Sequence, residues 1–360
     1  MRVGIQCRLT FLVILGEVDE SLTISEMSRD VSAALDMKKA EAFSKLLLRW
    51  YYKNGRDLPW RQTSDPYAIL VSEFMLQQTQ VATVSPYYKK WLDRFPTFGA
   101  LARASENDVL RAWQGLGYYA RARNLHAAGK QIIHRQAGRF PRAISEMQKL
   151  PGVGKYTAHA VATFAFNQPV PIVEANSARV LARLFNLRTP IDSSLGQQTL
   201  WNRAASLVPK SEPAIYNSAL LDLGALICLP RNPKCGSCPV KKFCRASNPE
   251  SLPIKRARPA QKQLIERHAL IRKNGKVLLQ KSSGRWQGMW ILPAISGRGK
   301  DKHAIYSAAF PFTNHRVTLR VLSESANHPS DPRQRWFSMR ELMRIPIPPP
   351  HRRAINALLH

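Results

Sequence analysis

The stretch Cys228–Cys244, CLPRNPKCGSCPVKKFC, carries four of the chain's five cysteines in the spacing C-x6-C-x2-C-x5-C, directly after a helix-like run from Ile215 to Ile227. Thiolates gathered this densely form either a disulfide framework or a metal site. Disulfides staple small chains in oxidising compartments, whereas 360 residues that are 44% hydrophobic hold enough core to fold without them. A metal site is therefore the reading. All-thiolate ligation suits structural zinc and also a 4Fe-4S cluster, and the spacing taken alone leaves both open.

Charge is the second constraint. The chain has 54 Lys and Arg against 24 Asp and Glu, a formal net charge of +30, and such an excess points to a polyanionic partner. The longest strongly apolar stretch, Phe11 to Leu15, is far shorter than the ~20 residues a membrane span needs. It follows Arg2 and Arg8 as a signal peptide would. However, it lacks a small-x-small cleavage site and runs into Glu17, Asp19 and Glu20, which argues against secretion.

From about Ala40 to Ile227 the apolar residues recur with helical period, in Leu46–Tyr52, Ile69–Leu76, Val109–Trp113 and Ala158–Phe166. Asn248 to Lys262 then places three prolines among basic residues, a solvated linker. Beyond it Asn274-Gly275 lies between the apolar runs His268–Ile271 and Lys276–Leu279, a hairpin signal, and Val317–Leu322 is a further strand candidate. The expected organisation is an extension or misplaced start over residues 1–37, a helical domain over 38–247, a linker over 248–263 and a small α/β domain over 264–360.

Leu150-Pro151-Gly152-Val153-Gly154 is a glycine hairpin between helices, whose small residues let backbone amides approach a phosphate at a helix N-terminus. Combined with the cysteine loop about 75 residues later, it resembles the helix-hairpin-helix DNA glycosylases of the endonuclease III superfamily. Within that superfamily the chain resembles the adenine DNA glycosylases of the MutY type. LPWR at Leu58–Arg61, SEFMLQQTQV at Ser72–Val81 and GLGYYARARNL at Gly115–Leu125 carry the match. Gly284-Arg285-Trp286-Gln287-Gly288-Met289-Trp290 and Arg335-Trp336-Phe337 extend it, being similar to that family's Nudix-like domain, which reads 8-oxoguanine.

The resemblance implies a mainly α fold with a Nudix-like C-terminal domain and a 4Fe-4S cluster on Cys228, Cys235, Cys238 and Cys244. It implies a monomeric base-excision enzyme that hydrolyses the N-glycosidic bond of adenine mispaired with 8-oxoguanine or guanine in double-stranded DNA. A cytoplasmic, nucleoid-associated location follows, which unpaired Cys7 also suits.

Breaking that bond needs a proton for the departing base and negative charge near the cation-like sugar, hence two acidic groups in different states. The resemblance assigns the acid to Glu73, after an apolar helical segment whose burial favours a protonated carboxyl, and the second carboxylate to Glu174. Tyr156 stands where lyase-competent relatives carry a nucleophilic lysine, which implies a monofunctional enzyme. Asn176 would orient neighbouring groups. Gln77 and Gln78 would insert into the stack, Tyr118 would wedge beside the lesion, and Arg61 would contact adenine. Gly152 and Gly154 would meet phosphate, and Thr313 would contact 8-oxoguanine. Arg231, Lys234, Lys241 and Lys242 on the cysteine loop would also face phosphates.

Several positions depart from the family pattern. Glu174-Ala175-Asn176-Ser177 replaces Asp-Gly-Asn-Val, and a displacement of about 1 Å at a reacting centre costs on the order of a hundredfold in rate. Ala175 lacks the freedom of the glycine it replaces. Ser218 stands where the family has Gln or Glu, and Phe312-Thr313-Asn314 where it has Phe-Ser-His. The segment Pro293–Phe310 lacks the glutamate-rich box of Nudix hydrolases. These departures keep two alternatives open: a lesion-binding protein with impaired chemistry, and a glycosylase for another mispaired base.

Overall fold

A computed structural model of the chain describes residues 37–257, 259–295, 304–325, 329 and 331–359. The expected extension lies outside them apart from Met37, which opens helix α1 (residues 37–54). The chain forms two compact units. One joins Asn167–Arg256 to the segment ending at Arg56, and the other joins Asp57–Phe166 to Ala257–His360.

In the first unit α1 packs with α9 (Ala175–Leu184) and α11 (Pro213–Leu226), and α9 packs in turn with α10 (Ser194–Ala205). Local chemistry starts these helices, with Ser193 capping α10 through Gly196 N and Pro213 at the first position of α11. Phe43, Leu47, Val180, Leu184, Tyr216 and Leu220 form one core, and Val240 and Phe243 of the cysteine loop pack into it. That burial explains why a loop with only short 3-10 turns keeps a defined shape. Asp222, with no side-chain exposure, anchors Arg56 through Nη2 at 2.6 Å and Nε at 2.8 Å.

In the second unit the helices run α2 (Pro66–Leu76), α3 (Val81–Arg94), α4 (Phe98–Arg103), α5 (Glu106–Ala112), α6 (Ala120–Arg135), α7 (Ile144–Met147) and α8 (Lys155–Phe166). Helix α2 is buried from Tyr67 to Met75 without interruption, the mark of a central helix surrounded by α3, α6 and α8.

The sheet of the same unit has the order β3-β2-β1-β5-β4, with β6 also paired to β2. Its strands are β1 (Lys262–Lys273), β2 (Lys276–Lys281), β3 (Trp290–Ile291), β4 (Ala304–Phe312), β5 (His315–Glu324) and β6 (Gln334–Ser338), followed by α12 (Met339–Leu342) and α13 (Pro349–Leu359). The turn at Asn274-Gly275 has φ of 49° and 72°, positive at both central positions as a two-residue hairpin between right-twisted strands requires. β1 also runs parallel to β5, from Lys262 opposite His315 to Ile271 opposite Glu324.

The sheet packs on the helices of its own unit. Gly288 (φ 81°) lies against Glu106 and Leu110 of α5, Arg123 of α6 donates to Gln287 O at 2.7 Å, and the Tyr119 and Trp286 rings meet edge to face at 6.4 Å. A side chain at 288 would collide with the Glu106 carboxyl. None of the described helices is long and apolar enough to cross a membrane.

Candidate active site and cysteine loop

Asp65 starts α2 by accepting from Tyr67 N at 3.0 Å and Ala68 N at 3.3 Å, with Pro66 at the first helical position. Two turns later the same helix carries Glu73, 4% exposed. An acidic side chain in this largely apolar helix is buried at a desolvation cost. Gln77 caps the helix, and its Nε2 donates to Thr157 Oγ1 on α8 at 3.5 Å. Gln78 follows in the left-handed region with φ 55°, exposed to solvent.

The Gly115–Tyr118 turn is another irregular segment of this unit. Gly115 (φ 111°) lies where any side chain would strike the Tyr87 hydroxyl, and Trp113 Nε1 donates to Gly117 O at 3.0 Å. Tyr118 has φ 47° and is 42% exposed, too open for a core aromatic.

The glycine hairpin joins α7 to α8. Gly152 has φ 75°, and a Cβ there would stand 2.7 Å from Asn124 Cβ and 3.0 Å from Phe74 Cε1. Gly154 faces open space and, like Lys155, is exposed at the start of α8. The two glycines therefore differ in purpose: the first lets three helices close together, and the second leaves backbone accessible. Tyr156, half-buried, is the second residue of α8. Arg61 ends a 3-10 turn anchored by buried Leu58 and Trp60, the latter edge-on to Tyr88 at 5.5 Å.

Within the sheet Thr313 (φ 52°) is exposed at the β4–β5 turn, and its hydroxyl donates to Phe312 O at 2.7 Å. The Phe312 ring lies against Trp286 at 5.5 Å and beneath the Arg285 guanidinium at 4.3 Å.

In the first unit Glu174 is the N-cap of α9. Its Oε1 accepts from Asn176 N at 2.6 Å and Ser177 N at 2.9 Å, while Ser177 Oγ accepts from Glu174 N at 2.8 Å. This is a capping box with the acid and hydroxyl exchanged relative to the usual order. Burial pushes the Glu174 carboxyl above the usual carboxylate range, opposed by the amides of Ser177 and Asn176 and by the charge of Arg179. Ala175 is the first helical residue and is not among those with left-handed backbone. The glycine freedom that sequence reasoning counted as lost is therefore not required here. Ser218 lies buried on α11, 5% exposed.

Two buried arginines that sequence reasoning missed tie α9 to the cysteine loop. Arg179 donates through Nη2 to Asn176 Oδ1 at 2.8 Å and Gly224 O at 2.7 Å, and through Nε to Cys228 O at 2.8 Å. Arg183, 1% exposed, donates to Leu229 O at 2.6 Å, Pro230 O at 3.0 Å, Leu252 O at 3.1 Å and Cys228 Sγ at 3.3 Å. The signal was present in SARVLARLF, where two arginines four apart fall on one face of an apolar helix.

No disulfide joins Cys228, Cys235, Cys238 and Cys244, and burial raises the Cys238 thiol, with Cys228, Cys244 and Cys235 adding to the effect. Their mutual influence puts them in one neighbourhood. Four sulfurs with a guanidinium donating to one of them suit an anionic all-thiolate cluster. Among the described residues no three His, Cys, Asp or Glu side chains form a single-ion site. The exposed Arg231, Lys234, Lys241 and Lys242 surround the loop with positive charge.

Comparison with known proteins agrees with these features. The profile described as HhH-GPD superfamily base excision DNA repair protein matches residues 71–206, and the iron-sulfur binding domain of endonuclease III matches residues 228–244. The cysteine loop is thus an iron-sulfur site. Among solved structures, a thermostable thymine-DNA glycosylase superposes with a TM-score of 0.54 at 33% identity, covering 58% of this chain and 96% of its own. The human adenine DNA glycosylase is 42% identical over 64% of this chain and 42% of its own length, so the chain spans about two fifths of that relative. The adenine DNA glycosylase of Buchnera aphidicola subsp. Schizaphis graminum is 30% identical over 86% of this chain and 96% of its own. The chain belongs to the adenine DNA glycosylase family.

Proposed function

We propose that the protein excises adenine mispaired with 8-oxoguanine or guanine from double-stranded DNA, as a monomer and without a lyase step. The observation that carries this reading is Glu73, a carboxyl 4% exposed within the apolar helix α2. Glu73 delivers a proton to the departing adenine as the bond from the base to the sugar C1′ breaks. The bonding electrons leave with the base, and the sugar becomes a cation stabilised by the Glu174 carboxylate. Water then attacks C1′ and passes a proton to the Glu73 carboxylate, which restores the acid and leaves an abasic site and free adenine. Tyr156 has no amine with which to form a Schiff base, so the strand stays intact.

Gln77, Gln78 and Tyr118 occupy the space left by the extruded nucleotide, Arg61 contacts the adenine, and Gly152 and Gly154 approach the backbone phosphates. Asn176 orients the start of α9 through Arg179. The 4Fe-4S cluster, held by Cys228, Cys235, Cys238 and Cys244, supplies a rigid anchor when bound. The chain's own contribution is the basic rim of Arg231, Lys234, Lys241 and Lys242, which gives affinity without sequence choice. The C-terminal sheet is Nudix-like in this reading and contacts 8-oxoguanine through Thr313. The functional division follows residues 38–247 and 264–360.

A second reading, a lesion binder with impaired chemistry, draws support from Glu174 Oε1, which is already committed to two backbone amides. Single-turnover incubation with a duplex carrying A opposite 8-oxoguanine, followed by alkali, separates the two. Product from the mispair but not from A:T, lost in Glu73→Gln, is expected. Tight binding by cluster-loaded protein with no product would replace the enzyme by the binder.

A further inference from the structure

Arg121 lies in the first turn of α6, 6% exposed, and its guanidinium meets six acceptors drawn from two separate segments, the end of α2 with the turn after it and the turn before α6. Nη1 donates to Phe74 O at 3.0 Å, Met75 O at 2.8 Å and Gln77 O. Nη2 donates to Thr79 Oγ1 at 3.1 Å, Leu116 O at 2.9 Å and Gly117 O at 3.1 Å. The carbonyls of Phe74 and Met75 belong to the last turn of α2, where carbonyls lack helical partners and a cation opposes the negative end of the helix dipole. Those of Leu116 and Gly117 belong to the turn that carries Tyr118. The guanidinium also lies 5.3 Å from the Trp113 ring centroid and 5.6 Å from that of Tyr118. Burial lowers its pKa to about 10, so it stays charged at neutral pH.

Gln78 and Tyr118, beside the clamped carbonyls, both hold positive φ, 55° and 47°. Non-glycine residues persist in that region only where surrounding contacts over-determine them. The guanidinium is the group that holds both at once. A lysine ammonium, a compact charge with three donors, cannot spread over acceptors on two sides in this way.

We propose that Arg121 is a positioning residue that locks the Gln77–Thr79 turn and the Leu116–Tyr118 turn into one rigid wedge for extruding the target nucleotide. The proposal rests on the reading of Gln77, Gln78 and Tyr118 as DNA-inserting residues. Without the clamp each loop relaxes out of its strained conformation and must be reordered on DNA, which slows extrusion before any bond is broken.

The test uses the full cluster-loaded chain and two variants, Arg121→Lys and the milder Thr79→Val, which removes one acceptor and leaves the core intact. Hydrogen exchange without DNA reads the clamp directly. Arg121→Lys is expected to speed exchange by roughly tenfold or more in both the Phe74–Val81 and Trp113–Ala122 segments, with Thr157–Phe166 unchanged. Extrusion is read in a Glu73→Gln background from the fluorescence of 2-aminopurine beside the target adenine, and is expected to slow by roughly tenfold in Arg121→Lys and less in Thr79→Val. Loosening of only one loop, or of Thr157–Phe166 as well, would overturn the proposal, as would equal extrusion rates with and without the substitution. If the otherwise unsubstituted protein never extrudes the base, the reading of the three inserting residues fails and the proposal with it.

Discussion

Gly152→Ala and Gly154→Ala form a matched pair whose outcomes should diverge. At position 152 the added methyl group must adopt φ 75° and would stand 2.7 Å from Asn124 Cβ, 2.8 Å from Asn124 Nδ2 and 3.0 Å from Phe74 Cε1. Left-handed backbone costs an L residue about 1–2 kcal/mol, and forcing a methyl group into packed surroundings adds about 1–3 kcal/mol. A total near 3 kcal/mol corresponds to a fall in melting temperature of about 6–12 °C for a unit of roughly 200 residues. Phe74 belongs to the helix of Glu73 and Asn124 to that of Arg121, so the strain reaches both. At position 154 nothing lies within 4 Å of the added methyl group. There the cost is limited to replacing glycine before the first residue of α8, under about 1 kcal/mol. Melting followed by circular dichroism, with duplex binding by fluorescence anisotropy, reads both properties. Gly152→Ala should melt earlier and bind weakly, whereas Gly154→Ala should melt as the parent does and lose affinity through poorer phosphate approach. A Gly152→Ala protein that melts within 2 °C of the parent, a margin well below the ~6 °C minimum expected, would refute the packing argument.

Because the Glu174 carboxyl is held above the usual range, it takes up a proton as pH falls sooner than an ordinary carboxylate. Single-turnover rates against pH should show activity lost on acidification below that raised pKa and retained above it, and Glu174→Asp should move the limb. Since a raised carboxyl pKa means that ionisation opposes folding above it, Glu174→Gln should melt no earlier than the parent at pH 7 while losing excision; earlier melting would show that the negative charge is needed at the cap. Arg183→Met removes the donors that Arg183 supplies to Leu229 O, Pro230 O, Leu252 O and Cys228 Sγ, and should cost at least about 3 kcal/mol and the visible absorbance of the cluster; full cluster occupancy by absorbance and iron content would count against it. Replacing Lys241 and Lys242 together by alanine should lower the slope of log affinity against log salt by about 2 without changing preference between mispairs, and an unchanged slope would remove both from the phosphate contacts.

The helical half of the second unit was legible because its signals are local. Ile69–Leu76 and Ala158–Phe166 fall within α2 and α8. The left-handed Asn274-Gly275 turn follows from the two residues that tolerate positive φ at least cost. Strand β4 gave no comparable signal and was missed, because its edge position alternates only between half-buried and exposed, and apolar residues such as Ile305 and Ala309 fall on the exposed side. The parallel pairing of β1 with β5 was equally hidden, since it joins residues more than fifty apart through the backbone alone.

Residue identity and spacing by themselves determined the cysteine loop, the hairpin and the amino acids available for chemistry, while the family came from the resemblance of those motifs. The tertiary structure alone decided what the buried arginines do. Arg121, Arg179 and Arg183 read in sequence as three more members of a basic surface, yet each is buried against carbonyls presented by distant segments. Most of those acceptors are main-chain carbonyls common to every residue, so no side-chain pattern marks them, and only the folded path of the chain brings them within reach.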